Sequence, residues 1–415
     1  MRIVYARCCG LDVHKKSISA CLLTPDERGG TQQQLRRFGT MTRDLLELSD
    51  WLTGNGVTHV AMESTGVYWK PVWNILEGTC TILLVNAQHV KAVPGRKTDA
   101  KDCQWIADLL QHGLLRGSFV PPSPIRQLRD LTRTRASLRQ DHTAVANRMQ
   151  KVLEDANIKI ASVASDWLGV SGRAILSRLL DGEEDSGKLA DLCCGRLREK
   201  IPEMQLALQG RMTEHHRWML QLQREQLEFL EGQIAQLEAK IQEHLRAYQQ
   251  AVELCMTIPG IEAVAAANLI AEIGVNMDQF PSAQHLASWA GLCPGNNESA
   301  GKRLSGKARN GSVWLRRSLC QAAWAASHSK NTYLSAQFRR LAARKGKKRA
   351  IVAVGHTILV ILFHMLKNQQ PYRDLGADYF DRHNSEQLKR SLIRRLERLG
   401  LQVSVLAPTP ASQPA

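Results

Sequence analysis

A chain of 415 residues with 44% hydrophobic side chains can build two or three packed domains of ~100–200 residues each, which excludes a disordered or fibrous protein. Lys and Arg number 55 against 39 Asp and Glu, a formal net charge of +16, and this favours a polyanionic partner, of which nucleic acid is the commonest. The 10 cysteines show no CxxC or Cys/His metal spacing and read as reduced thiols of a cytosolic protein.

The opening MRIVYARCCGLDVHKK meets Asp12 and basic residues too early for a signal-peptide core. The longest apolar run, 350–366, carries His356 and His364 and reads as a buried helix, so no membrane partner is expected.

In chain order, residues 4–115 alternate β-rich and helical runs, the pattern of an α/β domain. Strands are expected over 6–13, 17–23, 34–41, 57–64 and 81–86, and helices over 43–53, 67–76 and 99–114. Pro121, Pro122 and Pro124 then stop the chain. Residues 125–158 have helical periodicity, with Arg126, Arg129, Arg133 and Arg135 near the start. No element is assigned over 166–202. Leu220, Leu227, Leu230, Ile234, Leu237 and Ile241 fall at heptad spacing, with Gln223 the polar interruption, and predict a coiled coil over about 220–248.

A mostly helical region follows over 251–370, opening with IPGI at 258–261. Within it, residues 299–349 hold 14 Lys and Arg and no Asp or Glu, with Trp314, Trp324, Tyr333 and Phe338 interleaved. That composition suits a surface that neutralises phosphates and offers rings for stacking. A basic helix over 385–399 and a disordered Pro/Ala/Ser tail complete the chain. The expected domains are 1–120, 121–250, 251–370 and 371–415.

Three segments carry the acidic residues of interest. Asp12 and Glu63 each end an apolar strand, and Asp99 and Asp102 share one face at a helix start. Lys15, Lys16, Arg96, Lys97 and Lys101 surround them in sequence. Carboxylates in such a set suit Mg²⁺, a hard ion that prefers oxygen ligands, and two such ions about 3.5–4 Å apart can serve phosphodiester cleavage. Any one of these residues alone reads equally well as a strand end or a helix-start aspartate favoured by the dipole. The set of four favours catalysis.

The strings GLDVHK at 10–15, MESTGVYW at 62–69 and GRKTDAKD at 95–102 together resemble the DEDD transposases of bacterial insertion sequences, the IS-one-ten family, whose members are bridge-RNA-guided recombinases. The resemblance covers about 6–115 and 251–370. It implies an RNase H-like (RuvC-like) N-terminal domain with a mixed sheet, in which Asp12, Glu63, Asp99 and Asp102 are the catalytic, Mg²⁺-binding residues. Thr257 to Val264 resembles the helix-hairpin-helix-like start of the family's C-terminal domain, although Glu262 stands where a glycine is frequent, which favours a packed core element over a DNA-binding hairpin.

The same resemblance places the nucleophile at Ser299, which would attack a DNA phosphate and hold the cut end as a phosphoserine; spacing alone leaves Ser305 and Ser312 as competitors. It further implies a structured guide RNA, element-end and target DNA, and a dimer or tetramer in which the carboxylate and serine domains meet across a protomer boundary, with the coiled coil joining the chains. Lys302, Arg303, Lys307, Arg309, Arg316 and Arg317 are the expected nucleic-acid contacts of the C-terminal part. A bacterial, nucleoid-associated cytoplasmic location follows.

Three other readings compete. A junction-resolving nuclease would use the same carboxylates with water as nucleophile, but about 300 residues after its domain would then lack a role. A non-catalytic binding scaffold would not need all four acidic residues. A tyrosine recombinase is rejected because Tyr372 and Tyr379 lie beside Asp374, Asp378 and Asp381 and not in a basic pocket.

Overall fold

The structure is a computed structural model, and it describes residues 2–26, 30–64, 66–85, 99–293, 297–299, 302–305, 311–383 and 385–404. The chain forms two compact units, Met1–Val120 and Pro121–Ala415.

The first unit is a mixed five-stranded sheet of order β3-β2-β1-β4-β5. Its strands are β1 (Cys8–Val13), β2 (Ile18–Pro25), β3 (Thr31–Phe38), β4 (His59–Glu63) and β5 (Thr81–Val85). The first three form an antiparallel meander, and β4 then pairs parallel to β1 and β5 parallel to β4. Parallel pairing needs crossovers, and α1 (Thr42–Gly54) and α2 (Trp69–Leu76) supply them.

The period of two along β1 divides its side chains between the faces of the sheet. Cys9, Leu11 and Val13 pack with Leu45, Leu48 and Leu52 of α1 and Val72 and Leu76 of α2. Cys8 belongs to the opposite layer, with Cys103, Ile106, Ala107 and Leu110 of α3 (Asp99–Gln111). Both faces are covered, so β1 and β4 read as nearly continuous apolar runs.

The second unit is helical apart from a small hairpin, β6 (Asn297–Ser299) and β7 (Lys302–Ser305). Its longest elements are α4 (Ser123–Asp155) and α5 (Glu214–Leu245). They run antiparallel: Arg139 meets Glu238, His142 meets Glu231 and Asp155 meets His216. Leu220, Leu227, Leu230, Ile234, Ile241 and Leu245 of α5 are buried, so the heptad face is filled within the chain by α4. Gln223 lies in the same seam with its Oε1 buried and unpartnered.

The segment that the sequence left unassigned closes the far end of this pair. It holds the helices Val170–Leu180, Ser186–Ala190 and Ile201–Ala207 and packs Trp167, Leu176, Leu189 and Met204 against Met149 and Leu227.

The C-terminal part comprises α6 (Gln249–Met256), α7 (Ala263–Ile273), α8 (Ala283–Trp289), α9 (Val313–His328), α10 (Tyr333–Lys345) and α11 (Lys347–Asn368), with α12 (Ser385–Arg398) beyond. Helix α11 is long and apolar enough to cross a membrane by length and composition, yet Ala350, Val354, Ile358 and Leu362 are fully buried within the unit. In the IPGI turn Gly260 has φ +85°, and a Cβ there would lie 2.4 Å from the Ala326 amide nitrogen. The turn thus packs closely against α9.

Candidate active site

Strand geometry gathers the carboxylates. Leu11 pairs with Met62 in the parallel ladder, so Asp12 and Glu63, one residue further on, end adjacent strands. By the alternation of β1 and β4, Asp12 shares its face with Cys8 and Gly10, and Glu63 shares its face with Ala61. That is the face covered by α3. Helix α3 comes close because residue 10 is glycine: a Cβ there would lie 2.3 Å from the Cys103 carbonyl oxygen and 2.4 Å from the Ala107 nitrogen. Asp102, beside Cys103, is thereby brought to Asp12.

The electrostatics report the convergence. The Asp12 carboxyl is held above its ordinary range, first by burial and then by the negative fields of Asp102 and Glu63, against the lowering effect of His14. Cys103 is pushed up by burial and then by the charge of Asp12. The backbone holds both strand ends: Ser64 N–H donates to the Val85 carbonyl at 2.9 Å, and His14 N–H to Ser17 at 2.9 Å. The second bond closes the β1–β2 turn, with Lys15 and Lys16 exposed at its tip.

His14 is a site residue that the sequence reading passed over. Its Nε2 lies 3.0 Å from Asp12 Oδ2, with the imidazole 61% exposed and the carboxylate 15%. The available signal was spacing, since residues two apart on a strand share a face.

Asp12, Glu63 and Asp102 therefore lie on the α3 side of the sheet, near enough for the charges of the latter two to act on Asp12, while the side chains of Asp99 and Lys101 lie outside the described residues, as do Arg96 and Lys97. Among the described residues no three His, Cys, Asp or Glu side chains are gathered closely enough to hold a metal ion. The donor chemistry still suits one, because carboxylates that repel each other in a half-buried site call for a hard cation between them.

Ser299 ends β6 and pairs in register with Lys302 of β7. Its side chain, and those of Lys302 and Arg303, lie outside the described residues, as do Lys307 and Arg309. Ser312 is otherwise engaged: its Oγ donates to Glu272 Oε2 at 2.9 Å and accepts from the Leu315 amide at 3.2 Å as the cap of α9. Arg316 donates to the Gly291 carbonyl at 2.8 Å, and Arg317 lies over the Trp314 ring. Tyr372 donates its phenol proton to Asp374 at 3.0 Å, and burial together with that carboxylate raises its pKa. Such a phenol is a poor nucleophile.

Comparison with known proteins gives a consistent picture. Residues 9–158 match a DEDD transposase family of the IS110 type, and residues 252–339 match the transposase IS116/IS110/IS902 family. A probable family 20 transposase of Pseudomonas aeruginosa is 26% identical over 76% of this chain and 85% of its own length. The transposase for insertion sequence element IS1111A of Coxiella burnetii is 28% identical over 70% of this chain and 72% of its own. A pilin gene-inverting protein of Moraxella bovis is 30% identical over 29% of this chain and 38% of its own.

Proposed function

Because this chain belongs to the IS110 family of insertion-sequence transposases, we propose that it cuts and rejoins DNA through the carboxylates of the first unit and a serine nucleophile, Ser299, in the second. The observation that supports this reading is the placement of Asp12 and Glu63 on the α3 side of two adjacent strands, with the charges of Asp102 and Glu63 acting on Asp12. The order β3-β2-β1-β4-β5, antiparallel and then parallel, supports an RNase H-like, RuvC-like fold for that unit.

Asp12, Glu63, Asp99 and Asp102 would hold Mg²⁺, which supplies positive charge to a phosphate and to the oxygen that leaves it. The protein's own groups do the rest. His14 orients Asp12 and screens its charge, and Lys15 and Lys16 attract the DNA backbone. The Ser299 Oγ bonds to phosphorus as the bond from phosphorus to a deoxyribose oxygen breaks. The serine proton passes to solvent or base, the freed strand leaves as an alcohol, and reversal by another strand's hydroxyl restores the serine.

Rejoining is favoured over hydrolysis because one relative is named for gene inversion, an outcome that needs both cut strands resealed. The proposal includes a structured guide RNA that selects sites, a cytoplasmic, nucleoid-associated location, and a homo-oligomer, dimer or tetramer. Since the α5 heptad face is taken by α4, self-association would use other surfaces, such as the exposed Trp218, Leu222 and Phe229 of α5. Cleavage of element-end DNA with and without Mg²⁺, and with and without the element's non-coding RNA, tests the reading. Activity that needs both supports it, and activity that persists in chelator contradicts the carboxylate chemistry.

A further inference from the structure

A cleft of about 480 Å³ opens within the second unit between α4, α7 and α9, with Glu238 of α5 on its rim. Its size falls within the ~300–1,000 Å³ of small-ligand sites. Four arginines line it, Arg133, Arg135, Arg139 and Arg317, against two carboxylates, Glu238 and Glu272.

The carboxylates are already engaged. Glu272 takes a two-pronged contact from Arg133 at 2.7 and 2.8 Å and a third bond from Ser312. Glu238 accepts from Arg139 at 3.0 Å at the exposed rim. Arg135 is different: it is 6% exposed and donates to the neutral Asn268 Oδ1 at 2.7 Å. Among the described residues it forms no ion pair. A guanidinium keeps its charge when buried, and Glu238, which acts on Arg135 through space, is itself bonded to Arg139, so the cleft keeps an excess of positive charge.

Trp314 of α9 adds an aromatic ring to the lining. Arg317 lies 5.5 Å and Arg133 5.8 Å from the Trp314 ring centroid. A cleft with more guanidinium than carboxylate groups beside an arginine-flanked indole matches an anion joined to a flat ring.

We propose that this cleft binds one unpaired nucleotide of a nucleic-acid strand, its phosphate on Arg135 and its base against Trp314 and Arg317. Arg139 adds charge at the mouth, and Asn268 and Gln321 offer amides to the base edge. The inference rests on the reading that the chain handles nucleic acid, but not on the strand-cutting chemistry. The sugar does not enter the recognition, so a DNA or an RNA strand could supply the nucleotide.

The test is anisotropy of labelled five-nucleotide single strands, one DNA and one RNA, titrated with the full chain in chelator. Arg135→Met, Arg317→Gln and Trp314→Leu are compared with Arg178→Gln, an exposed arginine on the helix Val170–Leu180. Each cleft variant is expected to weaken binding of at least one strand by about tenfold or more, and Arg178→Gln by less than about twofold. The strand that shows the loss identifies the source. Arg135→Met should in addition melt higher than the wild type, since the buried charge is removed.

Unchanged binding in Arg317→Gln, whose exposed side chain can be replaced without disturbing the core, overturns the proposal. Equal losses in Arg178→Gln also overturn it, because they report only general surface charge. Cleavage by Asp12→Asn is scored separately, so failure of the cleft and failure of the catalytic reading are distinguishable.

Discussion

A Cβ on Gly10 would sit 2.4 Å from the backbone nitrogen of Ala107, so the contact between β1 and α3 is backbone against side chain-free backbone. Neither partner can turn aside as a flexible side chain would. Gly10→Ala must therefore lift α3 from the sheet and carry Asp102 away from Asp12. A loss of about 3 kcal/mol in urea unfolding is expected from such overpacking, together with loss of DNA cleavage. Alanine at this position with wild-type stability and activity would show that the helix does not set the site.

Asp12 makes the opposite trade. Folding holds its carboxyl above the ordinary range, chiefly through burial and then through Asp102 and Glu63, so the ionised form costs stability at neutral pH. Asp12→Asn removes that charge with little change in shape. Its melting temperature in chelator should rise by a few degrees while cleavage is abolished, and differential scanning calorimetry reads the shift.

Glu272 of α7 has a side chain 3% exposed and holds Arg133, with Arg129 also near. Arg129 itself donates to the carbonyls of Ala271 and Glu272 at the end of α7, and burial lowers its pKa to about 10. Glu272→Ala leaves these guanidinium groups without their anion and uncaps the Ser312 hydroxyl. Destabilisation of about 3 kcal/mol is expected, measured by denaturant unfolding of the full chain.

The α4–α5 pair should weaken in acid. Burial would raise the Glu231 pKa, but hydrogen bonds from Arg173 and His142 bring it below the ordinary glutamate value of 4.5. A depressed carboxylate pKa gives stability that is full above the unfolded value and is lost as pH falls through the folded one. The melting difference between wild type and Glu231→Gln should thus be complete near neutral pH, shrink below about 4.5 and vanish in stronger acid.

The sheet of the first unit was legible because apolar alternation marks its strands, and β4 and β5 lie within two residues of expectation. Strand β3 differs: it spans Thr31–Phe38, against an expected 34–41. Its sequence TQQQLRRF is largely exposed, so no apolar period fixes it, and pairing with β2 from Ile18–Phe38 to Pro25–Thr31 does so instead. Met41 is then taken as the residue that precedes α1.

The acidic residues were readable as strand ends, yet their approach depends on Gly10 and α3, a tertiary contact without a local signal. The heptads showed an apolar seam but not that its partner was α4. Likewise the arginines of α4 were visible as charge, whereas the burial of Arg135 beside Trp314 arises from helix packing over about 180 residues of sequence.

The central claim is a covalent step at Ser299, and its most direct measurement is trapping on a denaturing gel. Full-length protein, Mg²⁺, element-end DNA and the element's RNA are incubated and denatured, beside Ser299→Ala, Ser305→Ala and Asp12→Ala. The account predicts a protein–DNA adduct with wild type and Ser305→Ala, and none with Ser299→Ala or Asp12→Ala. Cleavage without an adduct, untouched by Ser299→Ala and abolished by Asp12→Ala, would contradict it and leave a hydrolytic nuclease.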